Sequence, residues 1–378
     1  MLTLLLAVVT LTARAQDPVQ PPADSGRKPA TAPAPDSGRF RVTPLLAPAY
    51  NPEMQFLIAG GVLVSWKSGL NPPRVQRSTL SSTISYSTTG AINVSTSLSS
   101  FWHEDKLRIN ADVAYKDMAD NYWGVGYDAA VDPWNGDGTT HYHRQWFKLA
   151  PRVVWGVAKH LLVGGAVEWN HTIATDVNPT MAADSDYLLH GNDIKNNGIG
   201  GVIQYDSRDV AANAWTGTYA ALTAMSFGGF MGGDNSYQTY LLDFRHYRTL
   251  GRHGRTLAWQ LKSRIGAHDI PWTELSLVGT GYDLRGYVEG RFRDRATLIG
   301  LVEYRQMFLR SDGSLSRHGF VVWTGAGALG ADLPHLRGII PNGGVGYRFE
   351  LQPRSNVRID IGAGRHSTGV YFNFTEAS

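Results

Sequence analysis

From Phe40 onward the chain is a succession of short segments in which apolar and polar residues alternate. In residues 91–99, Ile92, Val94 and Leu98 oppose Asn93, Ser95, Ser97 and Ser99. Residues 106–116 repeat the pattern, with Leu107, Ile109, Ala111, Val113 and Tyr115 against Lys106, Arg108, Asn110 and Asp112. Leu257, Trp259, Leu261 and Ile265 oppose Gln260, Lys262 and Arg264, and Val357, Ile359 and Ile361 oppose Arg358 and Asp360. A side-chain period of two makes each segment a strand with one apolar and one polar face. The same reading predicts strands over 40–47, 54–66, 78–88, 91–101, 106–116, 142–155, 160–170, 197–207, 216–227, 236–248, 255–268, 294–308, 318–328, 342–351, 355–364 and 369–376. Periodicity alone leaves two architectures open. In a soluble sandwich the apolar faces stack on each other; in a membrane barrel they face lipid and the polar faces line a wet lumen.

Connection lengths favour the second. The longest predicted connections, 117–141, 171–196, 269–293 and 329–341, all follow odd-numbered strands and so share one end. Most connections at the other end are short. Long loops on one side, short turns on the other and an even strand number predict an all-β, closed transmembrane antiparallel β-barrel of about sixteen strands over residues 40–378. No apolar run of helical-span length follows the N-terminus, which excludes helical membrane spans.

Composition adds detail. Hydrophobic residues make up 43% of the 378-residue chain and charged ones only 18%. The 42 Gly, 11 Trp and 17 Tyr suit curved sheets and a membrane interface, as they also suit a soluble β protein. Trp102, Trp123, Trp134, Trp146, Trp155, Trp169, Trp215, Trp272 and Trp323 mostly fall near predicted strand ends or in loops, where indole rings form an interfacial girdle. The absence of Cys fits export to an oxidising compartment. A net charge of +3 without a basic patch gives no sign of a nucleic-acid partner. Residues 1–15 read as a signal peptide ending Ala13-Arg14-Ala15, and residues 16–39 as a Pro/Ala-rich disordered linker.

The pattern breaks at residues 278–305, VGTGYDLRGYVEGRFRDRATLIGLVEYR. Gly279, Gly281, Gly286 and Gly290 suit a loop folded tightly on itself, with Arg285 on a turn between Leu284 and Tyr287. The strand that follows sets Leu298, Val302, Tyr304 and Phe308 against Glu303 and Arg305. This LRGY loop, followed by a strand carrying EYR, resembles the outer-membrane assembly barrels of the BamA/TamA type, the bacterial surface antigen superfamily. YWGVGYD at 122–128, YDSRD at 205–209 with Gly217-Thr218-Tyr219, and RIDIGAG at 358–364 fit the same family. The resemblance implies that the loop bearing Arg285, Gly286 and Tyr287 folds into the lumen, where Arg285 pairs with Glu303 and sets plugging or gating. Relatives often supply a second acid on the next strand, where this chain has Trp323-Thr324-Gly325-Ala326-Gly327; Asp360, on the inward face of a later strand, is the substitute. Gly369, Phe372 and Phe374 resemble the C-terminal assembly signal of such barrels, with four residues following the last aromatic. The family also implies outer-membrane lipids and nascent outer-membrane or secreted proteins as partners. Relatives carry periplasmic POTRA domains ahead of the barrel, for which a stretch of about 23 residues is too short.

Three functions stay open at this stage: protein assembly or translocation, a POTRA-less passive or gated channel or structural surface protein, and a barrel serving as anchor or exit pore for a separate partner. Other polar clusters read as structural. Asp206, Arg208 and Asp209 form a turn motif, His141 and His143 a solvated loop, and Asp132 and Asp137 lack the ligand spacing of a calcium loop. No nucleophile, base and acid are gathered, so no enzyme, metal or cofactor is expected.

Overall fold

The computed structural model describes residues 40–51, 55–67, 76–132, 139–374 and 376. The expected signal peptide and linker, with Trp134 and Asp137, lie outside the described residues. The alternating segments are strands: β1 (Phe40–Asn51), β2 (Gln55–Trp66), β3 (Ser78–Ser87), β4 (Ile92–Trp102), β5 (Leu107–Asn121), β6 (His141–Ala158), β7 (Leu161–Thr175), β8 (Asp193–Asp206), β9 (Gly217–Phe227), β10 (Tyr237–Thr249) and β11 (Arg255–His268). A separate hairpin follows, β12 (Ser276–Val278) with β13 (Phe292–Asp294). The sheet then resumes with β14 (Ala296–Leu309), β15 (Leu315–Gly330), β16 (Arg337–Gln352), β17 (Ser355–Gly364) and β18 (Ser367–Phe374). Leaving out β12 and β13, these make one 16-stranded antiparallel sheet in strict chain order.

The two faces follow the period-two pattern. Val302 and Phe308 on β14, Val345 and Tyr347 on β16, and Ile359 and Ile361 on β17 are exposed on the outside. Glu303, Arg305, Arg348, Arg358 and Asp360, their alternating neighbours, are buried on the inside. Apolar outside and charged inside inverts a soluble protein and is the arrangement of a membrane barrel.

The expected closed cylinder needs a correction. β1 and β18 approach each other, yet among the described residues no hydrogen-bonded ladder joins them. Instead the first strands lap over the last. Leu45 of β1 and Leu63 of β2, on the inner face, pack on Leu351, Val357, Phe372 and Phe374 from the outer face of β16–β18. A Cβ added at Gly61 would lie 3.2 Å from the Phe374 ring, so that ring sits directly on β2. Gln352 fastens the overlap: its side-chain amide donates to Thr43 Oγ1 (2.9 Å) and its carbonyl accepts from the Ser65 hydroxyl.

At the long-loop end, strands run beyond their predicted limits, and the expected loop 329–341 is mostly strand, leaving only residues 331–336 as connection. Cross-strand side-chain hydrogen bonds support the extensions, among them His143 Nε2–Asp117 Oδ1 (2.7 Å) and His171 Nε2–Asp193 Oδ1 (2.6 Å). Three short helices, α1 (Tyr127–Val131), α2 (Pro179–Ala182) and α3 (Ser185–His190), belong to the loops there. Trp272 organises their core. Tyr122 and Tyr142 meet its ring edge-on at 5.9 and 5.8 Å, and its indole N–H donates to Gly191 O (3.0 Å). Trp123, Trp272 and Trp323 are therefore buried packing residues, not girdle residues, while Trp102, Trp155 and Trp169 are exposed on outer faces.

The face assignment predicts a depth-dependent penalty. Val345→Arg, half-exposed at the centre of β16, will destabilise the folded barrel by about 2–4 kcal/mol in urea titrations in lipid. An unchanged midpoint would mean that this face does not meet lipid.

Candidate functional site

The break in the pattern becomes a loop, residues 279–291, held inside the barrel between β12 and β13. Its fold is local. The buried Asp283 carboxylate accepts from the N–H groups of Gly279 (3.0 Å), Thr280 (2.8 Å) and Leu284 (2.6 Å), as turn aspartates do. Gly286 adopts φ 115°, open only to glycine at low cost. The wall facing the loop is stripped of side chains. A Cβ on Gly362 would lie 2.5 Å from Arg285 O, and one on Gly364 would lie 2.1 Å from the Tyr287 ring. The glycines of the RIDIGAG stretch are thus a recess for the LRGY turn.

Arg285 is fully buried. Its Nη1 donates to Asp360 Oδ2 at 2.7 Å and its Nη2 to Glu303 Oε1. The guanidinium lies 3.6 Å from the centre of the Trp323 ring, a desolvated cation–π contact. Trp323 in turn donates to Asn342 Oδ1 (3.1 Å), and Asn342 Nδ2 donates to the carbonyl of Arg285. The neighbours are stitched as firmly. Gly286 N–H donates to Tyr371 OH (2.9 Å), and Tyr287 OH donates to Pro341 O (2.6 Å) while accepting from Arg365 N–H (2.8 Å).

The charges continue beyond the arginine. Glu303 also accepts from Arg305 Nη2 (2.7 Å), and Asp360 from Arg348 Nη1 (2.5 Å) and Arg358 Nη1 (2.8 Å). Arg358 Nη2 donates back to Gly281 O in the loop (2.6 Å). Glu376 completes the set, accepting from Arg348 Nε (2.8 Å) and Asn356 Nδ2 (2.7 Å). Burial would raise the pKa of the Glu376 carboxyl, but Arg348 and Arg305 outweigh it and hold the group below the usual glutamate range. Glu376 thus meets the inner wall just beyond the end of β18, the strand at the open seam.

On its other side the loop meets the opposite wall. Glu289 pairs with Lys116 of β5 (3.1 Å), and Arg293 Nη2 donates to Asn121 O (3.0 Å). The Lys116 ammonium keeps Glu289 below its ordinary pKa. Phe292 stacks on Tyr127 at 5.9 Å, and Gly126 N–H donates to Arg293 O (2.9 Å), so the YWGVGYD stretch docks on the loop as well. A cavity of about 30 Å³ remains, lined by Lys116, Arg144, Glu289 and Arg293 together with Met118 and Trp272, room for about two waters. The loop therefore spans the bore from β17 to β5.

Arg285, Gly286, Tyr287, Glu303 and Asp360 thus converge on one place, while Gly369, Phe372 and Phe374 lie on β18 and the two phenylalanines enter the overlapped seam. Sequence reasoning missed Trp323, Asn342, Arg348 and Glu376. Trp323 stands where a second acid was sought, and it offers a π face to the cation instead of a charge. Asp206 accepts from Arg208 N–H (3.1 Å), as its turn reading expects, and also pairs with Arg108 (2.5 Å). No group of metal-ligating side chains occurs among the described residues.

Two predictions follow from the geometry. Arg285→Ala leaves two buried carboxylates short of a partner and should cost about 3–5 kcal/mol in urea unfolding; Arg285→Lys should recover only part, having neither fork nor flat stacking surface. Since the folded pKa of Glu376 is depressed, its contribution is complete above the unfolded glutamate value and is lost as pH falls through the folded one. Thermal stability should therefore drop on acidification below about pH 4, and the drop should be smaller in Glu376→Gln.

Comparison with known proteins agrees with this architecture. The Omp85 superfamily domain matches residues 70–329. Among solved structures, BamA from Haemophilus ducreyi lacking POTRA domains 1–3 matches with a TM-score of 0.53 and 13% identity, over 89% of this chain and 69% of that one. CdiB from Acinetobacter baumannii matches with a TM-score of 0.56 and 11% identity, and CdiB from Escherichia coli with 0.57 and 10%. These matches cover 90% and 88% of this chain but only 60% and 61% of the CdiB chains. No curated protein is significantly similar in sequence.

Proposed function

Because the chain belongs to the Omp85 superfamily, we propose that it is an outer-membrane barrel that inserts or exports other polypeptides, with residues 279–291 as its internal gate. Its partners are then outer-membrane lipids on the apolar skin and nascent outer-membrane or secreted proteins at the seam or in the bore. The long loops face outward and the short turns face the periplasm. Gly369, Phe372 and Phe374 serve the chain's own assembly as its C-terminal signal.

The observation that carries this reading is the open seam between β1 and β18. Among the described residues every pair of sheet neighbours is joined by a backbone ladder, and none joins β1 to β18. An unsatisfied row of backbone N–H and C=O groups is a template for an added strand. Such an edge is a liability that a mere structural cylinder would have closed. The arginine loop supports the gating part. It touches both walls and is held by charge pairs at each, beside an apolar cluster that takes in Leu284 and Tyr287. A passive pore needs a clear bore, and here the bore is crossed.

Depletion of the protein, followed by an inventory of other outer-membrane proteins and of secreted proteins, tests the assignment. Loss of a defined subset is expected; unchanged levels of all of them would overturn it. In planar bilayers the wild type should be nearly closed and Arg285→Ala should open it. A large steady conductance in the wild type would instead favour the channel reading.

A further inference from the structure

The turn between β8 and β9, residues 207–216, is built as a compact lobe. Asp209 Oδ1 accepts from the N–H groups of Val210 (3.0 Å), Trp215 (3.0 Å) and Thr216 (3.3 Å), closing the segment on itself. Its exit is a left-handed Gly217 at φ 105°, where a Cβ would fall 2.3 Å from Ser207 O. The lobe does not project as a hairpin tip. Ala214 is buried against Tyr247 and Ala258, which lie on the inner faces of β10 and β11. Ala211 N–H donates to Gln76 Oε1 (2.7 Å) just ahead of β3, and Gln76 Nε2 reaches Asp105 in the β4–β5 turn (3.2 Å).

From the other direction comes Arg354, in the β16–β17 turn. Its Nη2 donates to Asp209 Oδ2 (2.9 Å), its Nε donates to Asn213 O (3.1 Å), and its guanidinium lies 3.6 Å from the centre of the Trp215 ring. In the order of the sheet, β3 and β16–β17 lie far from β8–β9 in opposite directions. A segment that touches both crosses the mouth of the barrel at its short-turn end.

We propose that residues 207–216 are a strap that closes the periplasmic mouth and lifts as one body when Gln76 and Arg354 release it. In the insertion or export reading above, on which this role rests, the strap is the first barrier a polypeptide meets, ahead of the Arg285 loop. The closure itself is independent of any cargo. The fastenings across the mouth suit reversible release: one neutral hydrogen bond from Gln76, and on the other side Arg354 with a partly exposed ion pair, a hydrogen bond to Asn213 O and a stack on Trp215, each modest in strength, while Ala214 and the Thr249 Oγ1–Trp215 O bond (3.1 Å) tie the strap to the neighbouring strands β10 and β11.

Thiol labelling tests the closure directly. The chain contains no cysteine, so Ala258→Cys places a single thiol beneath Ala214. Its reaction with a membrane-impermeant maleimide is measured in liposomes that expose the short-turn end. Labelling should be slow with the strap intact and faster by about tenfold or more in the Gln76→Ala/Arg354→Ala background. Trp215→Leu, on the strap itself, should act in the same direction. Heat-modifiable gel migration checks that each barrel is folded. Fast labelling with the strap intact, or equally slow labelling in both folded release variants, would overturn the proposal. The labelling rate reads only the strap, so an unchanged protein inventory on depletion would sink the cargo reading and leave this result standing.

Discussion

A guanidinium taken wholly out of water is the constraint from which the rest of this barrel follows. Desolvating Arg285 is tolerable only because two carboxylates, a ring face and a carbonyl-bound amide are already in place around it. Those partners come from β14, β15, β16 and β17, so one side chain ties the loop to four consecutive strands. The acids in turn need neutralising, and Arg305, Arg348 and Arg358 supply that from the same inner wall. The network is specific in position because each member has few alternatives. An apolar plug of equal size would tolerate sliding, whereas forked charge pairs fix orientation as well as depth.

The wall answers the loop with absence. Gly362 and Gly364 carry no side chain where Arg285 and Tyr287 arrive, and either Cβ would occupy their space. The seam depends on the same cluster of charges. Glu376 meets Arg348 just beyond the last strand, whose outer face lies under β1 and β2. Loop and seam therefore share one arginine-rich wall, and Arg348 touches both Asp360 and Glu376. Any change that draws Asp360 away from Arg348 alters the electrostatic hold on the tail.

Much of the fold was legible because a period of two is a strong signal wherever lipid and lumen demand opposite chemistry. The alternation of Ile359 and Ile361 with Arg358 and Asp360 places all four correctly. Strand ends at the long-loop side were not legible, since beyond the apolar band the pattern fades while pairing continues through contacts such as His143 with Asp117. Arg285 and Glu303 were readable through the loop motif, and Asp360 through its face. Trp323 was not, because a search for charge overlooks a ring that serves a cation equally well. Glu376 carried only the weak signal of an acid after the final aromatic. The strap was hidden for a different reason: Asp209 was visible as a turn residue, but nothing local announces that Arg354 meets it from the far side of the sheet.

A loop held by this network is as rigid as the wall around it, and amide hydrogen exchange in lipid measures this most directly. Buried loop amides, those of Gly279, Leu284, Arg285 and Gly286, should exchange as slowly as the amides of β14. Exchange at the rate of the exposed turn 310–314, in a barrel whose strands stay protected, would contradict it.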